Sequence, residues 1–247
     1  MKLFVNKLVV TFSGLVVGGV LFSVQAKADN LVVNGDFSQA SYSSNNQFGT
    51  GYGGQGVTGW TGNGGYNIFF MAGTANNVSA NSQFGGGAEK MWGVNASPTG
   101  GNFVALDGDS SGRGGISQEI NNLVVGQTYD LTFDWGAGQL QSRTGPTTEQ
   151  LQVSLGDETF LTPVLDNASQ GFTGWYSQSF TFTATSTSEL LSFLSIGTPN
   201  GLPPVAVLSD VSLTSTSPVP EPSSLALLGT GLVGFGGLLR SRLKSRA

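Results

Sequence analysis

The sequence predicts an all-β fold: an antiparallel β-sandwich or jelly roll, preceded by an N-terminal signal helix and followed by a short C-terminal transmembrane helix. Three observations support the β-domain. Short segments alternate between apolar and polar residues, they are rich in β-branched and aromatic residues, and Gly, Asn and Pro separate them. No long stretch has the 3.6-residue period of an amphipathic helix. Many short alternating segments separated by turn residues are typical of sandwiches and jelly rolls.

Nine segments are predicted to be strands. The clearest is residues 129–135, in which three aromatic residues and Leu131 fall on one face. Such alternation is typical of half-buried antiparallel strands. The predicted strands are residues 30–33, 66–71, 102–107, 115–120, 128–135, 150–156, 175–183, 189–196 and 205–214. Together they predict one domain over residues 29–214.

Residues 39–65 and 72–101 are predicted to be long surface loops. Nine of the 17 residues from Gly49 to Gly65 are glycine, and glycine loses more conformational freedom on ordering than any other residue. Long loops in a compact domain are usually either functional or disordered. We therefore expect these two loops to be either functional or disordered.

The composition excludes several kinds of active site. The chain has no cysteine and no histidine, so it has no disulfides, no histidine-dependent triad and no cysteine or histidine zinc site. A metal site would be built from oxygen ligands, which favours calcium or magnesium. All 15 acidic residues lie between Asp29 and Glu221, together with three basic residues. Such an acidic segment is repelled by phosphates, so we expect no nucleic-acid partner.

The N-terminus has the pattern of a secretory signal peptide over residues 1–28. Lys2 and Lys7 precede an apolar run over residues 8–24, and Ala26-Lys27-Ala28 is an A-x-A cleavage signal. The pattern predicts export and cleavage by signal peptidase. The alternative is an uncleaved membrane anchor, because the apolar run is long enough to span a bilayer.

The C-terminus has three parts in a fixed order. Residues 215–222 form a linker rich in Ser, Thr and Pro that ends in Pro220-Glu221-Pro222. An apolar helix is predicted over residues 225–239, and a basic tail follows over residues 240–247. Fifteen residues are few for a full membrane span, which takes about 20. The basic tail is expected to stay cytoplasmic.

This three-part unit, residues 219–247, resembles the PEP-CTERM sorting signal of Gram-negative bacteria. The residues that carry the resemblance are Pro220, Glu221, Pro222, Arg240 and Arg242. It implies passage through the inner membrane, processing by an exosortase-type enzyme, and release or attachment at the cell surface. A permanent tail anchor is the alternative.

The predicted domain is similar, over most of its length, to galactose-binding-like jelly rolls, a group that includes many carbohydrate-binding modules. The motifs that carry the similarity are residues 31–37, 59–60, 103–108, 115–120, 125–133 and 208–213. The resemblance implies that the opening Asn-Gly-x-Phe segment lies beside the closing Asp-Val strand. It also implies a structural calcium between them, at Asp36 and Asp210. Ser38 stands where the group usually has an acid, which departs from the pattern.

Other roles are open for these acidic residues. Asp36 is also suited to shape an Asn-Gly-Asp turn, and Asp210 to cap a strand. A second oxygen-rich segment, residues 107–112, partly imitates a calcium loop. Gln118 stands where such a loop requires Glu, so a glycine-rich hairpin is the better interpretation there.

Three aromatic residues are candidates for stacking on sugar rings: Trp92, Trp60 and Tyr66. The alternative is that they pack in the core, as large aromatic residues usually do. Trp92 is the strongest candidate, because it lies in a predicted loop without alternation.

Catalysis has little support in the sequence. Glycosidases need two carboxylates at a set separation. Four acids could provide them, but nothing in their sequence spacing requires such a pair. Those acids are Asp107, Asp109, Glu119 and Glu149. We expect an exported surface or extracellular-matrix protein that is not an enzyme and that binds extracellular polysaccharide. The alternatives are a structural or adhesive matrix protein without a defined ligand and, third, a polysaccharide-active enzyme.

Overall fold

The computed structural model of the chain describes residues 29–49, 56–75 and 90–216. Every regular element within these residues is a strand, which confirms the predicted all-β class. None of the described residues belongs to a helix with the length and apolar character of a membrane span. The predicted signal helix, the sorting motif and the C-terminal helix lie outside the described residues.

The domain contains twelve strands. Their bounds are β1 Asn46–Phe48, β2 Thr61–Gly62, β3 Asn67–Phe70, β4 Phe103–Asp107, β5 Gly115–Asn121, β6 Thr128–Gly138, β7 Thr147–Leu155, β8 Glu158–Leu161, β9 Leu165–Asn167, β10 Tyr176–Thr183, β11 Ser188–Thr198 and β12 Val205–Ser215. Eight of the nine predicted strands are present, with ends shifted by one to three residues. The long loop predicted over residues 39–65 contains β1 and β2.

The strands form two antiparallel sheets that pack as a sandwich. Sheet I has the order β1-β3-β4-β12-β6-β10, and sheet II has the order β2-β5-β11-β7-β8, with β9 also paired to β7. Most neighbours in this order are distant in sequence. The closing strand β12 lies between β4 and β6 in the middle of sheet I. The two sheets confirm the predicted sandwich.

The main core lies between the sheets, where strand alternation directs apolar side chains inward. Along β6 the inward positions are Tyr129, Leu131, Phe133 and Trp135, all of them buried. Phe133 meets Phe193 of sheet II edge to face, with ring centroids 5.1 Å apart. The core therefore follows from the alternation that predicts the strands.

A second apolar cluster covers the outer face of sheet I. Phe103 on β4 stacks on Phe70 of β3 at 5.0 Å and meets the edge of Trp175 at 5.7 Å. Residues 90–94, which belong to a predicted loop, add Met91 and Val94 to this cluster. This part of the predicted loop is packed onto the sheet.

The opening segment lies beside the closing strand, as the resemblance implies. The backbone amide of Leu31 donates to the carbonyl of Leu213 at 2.9 Å, and that of Val211 donates to Gly35 at 3.0 Å. Residues 30–33 were predicted to be a strand, and this prediction is wrong. The chain turns at residues 33–36, because Asn34 adopts a left-handed conformation with φ of 55°.

Candidate functional site

An open groove with mainly apolar walls lies at one end of sheet II, where β7 and β9 pair and β11 ends. Its volume is about 480 Å³. Pro146 and Pro199 contribute apolar surface, and Thr148, Asp166 and Thr198 contribute polar groups. A cavity of this size with a few polar groups on an apolar wall is typical of small-ligand sites.

Strand register brings the polar groups of the groove together. Thr148 on β7 lies opposite Asp166 on β9 and opposite Thr198 on β11. Its hydroxyl oxygen is 2.7 Å from that of Thr198. Asp166 is exposed, so its carboxylate is available to a ligand. The groove thus offers two hydroxyls and one carboxylate across three neighbouring strands.

Glu149, the next residue on β7, points in the opposite direction, into the sandwich. It is fully buried, and neither carboxyl oxygen makes a hydrogen bond of ordinary geometry with the described residues. Burial raises the pKa of Glu149 to about 8; the nearby Thr147 hydroxyl and Val205 backbone oppose this rise, and the charge of Asp166 adds to it. Glu149 is therefore mostly protonated at pH 7.

Trp60 is a core residue. It is 6% exposed, its indole Nε1 donates to the carbonyl of Asn34 at 3.1 Å, and its ring packs 5.5 Å from that of Phe37. The packing and the hydrogen bond fix the ring inside the sandwich. This corrects the expectation that Trp60 presents a face to a sugar.

Neither Tyr66 nor Trp92 lines the groove. Tyr66 is 38% exposed, and its backbone amide donates to Gly112 at 3.0 Å. Trp92 is half-buried, and its indole Nε1 is buried without a hydrogen-bond partner among the described residues. Sugar stacking at these two residues stays a prediction.

The two predicted calcium ligands lie on adjacent segments of the domain. Asp36 accepts hydrogen bonds from the amide and hydroxyl of Ser38 at 3.2 and 2.9 Å. Asp210, with φ of 53°, accepts from the Thr99 hydroxyl at 2.9 Å. Calcium takes six to eight oxygens, and no group of three or more acidic side chains gathers within the described residues. A site here would need several backbone carbonyls, so calcium stays a prediction.

Residues 107–112, the second oxygen-rich segment, connect β4 and β5 and are closed by their own hydrogen bonds. The Asp109 amide donates to Asp107 at 2.7 Å, and the Gly201 amide donates to Asp109 at 2.5 Å. Burial raises the pKa of Asp107 to about 6. The hydrogen bond from Gly201 is the main cause that lowers the pKa of Asp109. These contacts account for both carboxylates without a ligand.

Sequence reasoning missed the groove. The strand predicted over residues 150–156 begins three residues after β7, so Thr147 and Thr148 fell outside it. No strand was predicted at β9, which supplies Asp166. The pairing that brings β9, β7 and β11 together links residues far apart in sequence, and alternation alone carries no signal for it.

The chain is similar in sequence to part of a longer protein. Over 211 residues the chain is 28% identical to halomucin of Haloquadratum walsbyi, a match that covers 82% of this chain and 2% of halomucin. The chain thus corresponds to a small part of that much longer protein.

Several solved structures are similar to this chain. TmCBM61, solved in complex with β-1,4-galactotriose, has a TM-score of 0.42 and 13% identity, covering 76% of this chain and 99% of its own. The CBM22-1 xylan-binding domain of Paenibacillus barcinonensis Xyn10C has a TM-score of 0.35 and 9% identity. The match covers 78% of this chain and 97% of that domain. A sugar-binding protein of Bacteroides thetaiotaomicron, described as putative, has a TM-score of 0.36 and 13% identity, covering 76% and 100%.

Two family models match the chain. The model described as PEP-CTERM protein-sorting motif matches residues 218–242, which confirms the predicted sorting signal and indicates an exported protein. The model described as protein of unknown function (DUF642) matches residues 30–202. That match covers most of the chain and nearly all of the sandwich. The chain belongs to the DUF642 family.

Proposed function

We propose that this exported protein binds polysaccharide at the groove of sheet II and does so without catalysis. The observation that carries the proposal is the meeting of Thr148, Asp166 and Thr198 on the wall of one cavity. Thr148 lies directly opposite Asp166 and Thr198 on neighbouring strands, whose backbones are about 5 Å apart. That spacing suits a polyhydroxylated ligand, whose neighbouring hydroxyls lie a few ångströms apart.

The charge of the domain restricts the class of polysaccharide. The described residues include three basic residues, Lys90, Arg113 and Arg143, and none of these lines the groove. Asp166 adds a negative charge at the cavity wall. We therefore expect neutral or amino-substituted polysaccharides to bind more tightly than polyuronates, because two carboxylates repel one another.

The orientation of Glu149 supports the non-catalytic part of the proposal. A glycosidase needs two carboxylates on opposite sides of one scissile bond. Thr148 and Asp166 form a cross-strand pair, and so do Glu149 and Leu165. Residues adjacent along a strand face opposite sides of the sheet, so Glu149 does not share the face of Asp166.

We also propose where the protein is processed and where it acts. With the sorting motif at its C-terminal end, the protein would be processed by signal peptidase and an exosortase-type enzyme. It would then act at the surface of a Gram-negative cell or in the surrounding matrix. The structural or adhesive role without a defined ligand is the second candidate, and the binding assay below separates the two.

The experiment is affinity electrophoresis of the full-length chain in gels that contain galactan, xylan, partly deacetylated chitin or polygalacturonate. We expect retardation in one or more of the first three gels and less retardation in the polyuronate. Asp166→Ala is expected to weaken the binding about tenfold, the usual effect of losing a charged hydrogen-bond acceptor.

The matched control is Asp157→Ala, which removes an exposed aspartate after the far end of β7. It should bind like the parent chain. Trp92→Ala in the same gels tests the predicted stacking residue. The groove proposal fails if Asp166→Ala is retarded as strongly as the parent while remaining folded. Absence of retardation in all four gels would favour the structural role.

A further inference from the structure

Strand β10 is the long free edge of the sandwich. It ends sheet I and pairs only with β6 within the described residues, in an unbroken register from Tyr176 to Thr183. The other strands at sheet edges are short: β1 has three residues, β2 has two and β8 has four. With eight residues, β10 is the edge with enough length to pair with another strand.

The sequence of β10 has none of the features that usually protect an edge. Natural sheets blunt their edges with charged residues, proline or bulges. The strand reads YSQSFTFT, without charge, proline or glycine, and its pairing with β6 contains no bulge. Nothing in the strand itself therefore opposes the addition of another strand.

The direction of the free backbone groups can be read from two hydrogen bonds. The Thr183 amide donates to the Glu158 side chain at 3.4 Å. The carbonyl of its ladder partner Thr128 accepts from the amide of Thr216, the residue that follows β12. Thr183 therefore points away from β6. Because strand residues alternate, Ser177, Ser179 and Thr181 also direct their amide and carbonyl groups to the open side. Among the described residues, no backbone group pairs with them there. The Ser179 carbonyl accepts a hydrogen bond from the Gln178 side chain at 3.1 Å, which a second strand would displace.

We propose that two copies of this chain associate through β10, antiparallel about a twofold axis at Ser179. The three residues whose backbone groups face the open side are symmetric about that position. Ser179 therefore pairs with Ser179 of the second copy, and Ser177 pairs with Thr181. This pairing makes about six backbone hydrogen bonds. It joins the two copies of sheet I into one continuous sheet.

The side chains of β10 suit a second copy of the same strand. In this register hydroxyl groups meet hydroxyl groups on the outer face, and Tyr176 meets Phe182 on the inner face. Since β10 carries no charge, two copies of an acidic domain meet there without repulsion between the strands. The partner also covers apolar surface beside the edge, where Tyr176 is 46% exposed and Phe160, stacked on Phe180 at 5.1 Å, is 37% exposed.

The symmetry predicts a closed dimer rather than a fibre. Pairing of β10 with β10 uses the same patch on both copies, and such an interface closes after two subunits. The opposite edge of sheet I is the three-residue strand β1, which is too short to continue the assembly. The sheet II groove at β7, β9 and β11 remains open.

Single cysteines test the proposal, because the chain has no cysteine of its own. In the full-length chain purified in mild detergent, Ser179→Cys is expected to form a disulfide-linked dimer under mild oxidation. The Cα atoms of residue 179 in the two copies would lie about 5.5 Å apart, which is within disulfide range. Ser177→Cys alone should not cross-link, but mixed with Thr181→Cys it should give the heterodimer. The matched control is Thr132→Cys, on the same face and one strand from the edge.

Sedimentation velocity gives an independent measurement of the same dimer. Ser179→Lys places two like charges on the axis and should weaken dimerisation about tenfold, whereas Thr132→Lys should leave it unchanged. A monomeric parent chain across the concentration range would overturn the proposal. Equal cross-linking at Ser179, Ser177 and Thr132 would also overturn it, because that pattern reflects random collision or association through other segments.

Discussion

Glu149 on β7 lies directly opposite Gly197 on β11, and its carboxyl group is enclosed in the sandwich. Gly197 is itself confined, because a Cβ there would lie 2.5 Å from both the Thr148 carbonyl and a Pro204 side-chain carbon. The end of sheet II is thus tightly packed around a buried acid. We therefore expect this acid to make the stability of the domain depend on pH.

The first prediction is that the folded domain loses stability as pH rises towards 8. The folded-state pKa of Glu149 is raised from 4.5 to about 8, so the folded state holds a proton that the unfolded state has lost. The stabilisation that this proton gives is complete below pH 4.5, the pKa of the unfolded state. It is lost as pH rises through about 8, the pKa of the folded state. The slope is about 1.4 kcal/mol per pH unit. Urea unfolding between pH 6.5 and 8 measures it.

Glu149→Gln is the matched variant, because it keeps the shape of the side chain and removes its titration. Its free energy of unfolding should be nearly independent of pH in this range and above that of the parent at pH 8. Asp107, with a folded pKa of about 6, is ionised in both states over most of this interval. A parent slope equal to that of the glutamine variant would contradict the buried, protonated state of Glu149.

The alternation of residues 128–135 predicted β6, but not its last three residues. Gly136 and Gly138 belong to the strand because other groups occupy the place of their side chains. A Cβ at Gly136 would lie 2.4 Å from the Gly174 carbonyl, and one at Gly138 would lie 2.6 Å from the Met91 side chain. Glycine in a sequence usually indicates a loop. At Gly136 and Gly138, the missing side chain instead lets neighbouring groups pack closely against the strand.

The parts of the fold that sequence missed share a physical cause. Strands of two or three residues, such as β1 and β2, are too short to show a period. The groove and the free edge depend on which strands become neighbours, and that is decided by long-range packing. The composition, in contrast, correctly excluded every disulfide and every histidine or cysteine site, because those depend on residue type alone.

The second prediction concerns calcium at Asp36 and Asp210. If both carboxylates and nearby carbonyls bind the ion, calcium raises the melting temperature of the full-length chain. At a calcium concentration about tenfold above Kd the gain is about 1.4 kcal/mol. Magnesium should stabilise less, because it requires a smaller octahedral site.

Asp210→Asn is the appropriate variant, since asparagine tolerates the left-handed backbone at this position and retains one oxygen for the Thr99 hydroxyl. We expect this variant to lose most of the calcium-dependent shift in differential scanning calorimetry. An identical shift in parent and variant would place the bound ion elsewhere. No shift in the parent would contradict the calcium prediction itself.

The third prediction concerns processing of the C-terminal segment. The sorting motif matches residues 218–242, and the apolar run with its basic tail is expected to be removed after recognition in the membrane. Intact mass and peptide mapping of the protein washed from the cell surface or collected from the medium should therefore end before Leu225. Glu221→Gln, which changes the centre of Pro220-Glu221-Pro222, should leave unprocessed chain in the membrane fraction. Peptides that extend from Leu225 to Arg246 in the surface material would instead indicate a permanent tail anchor.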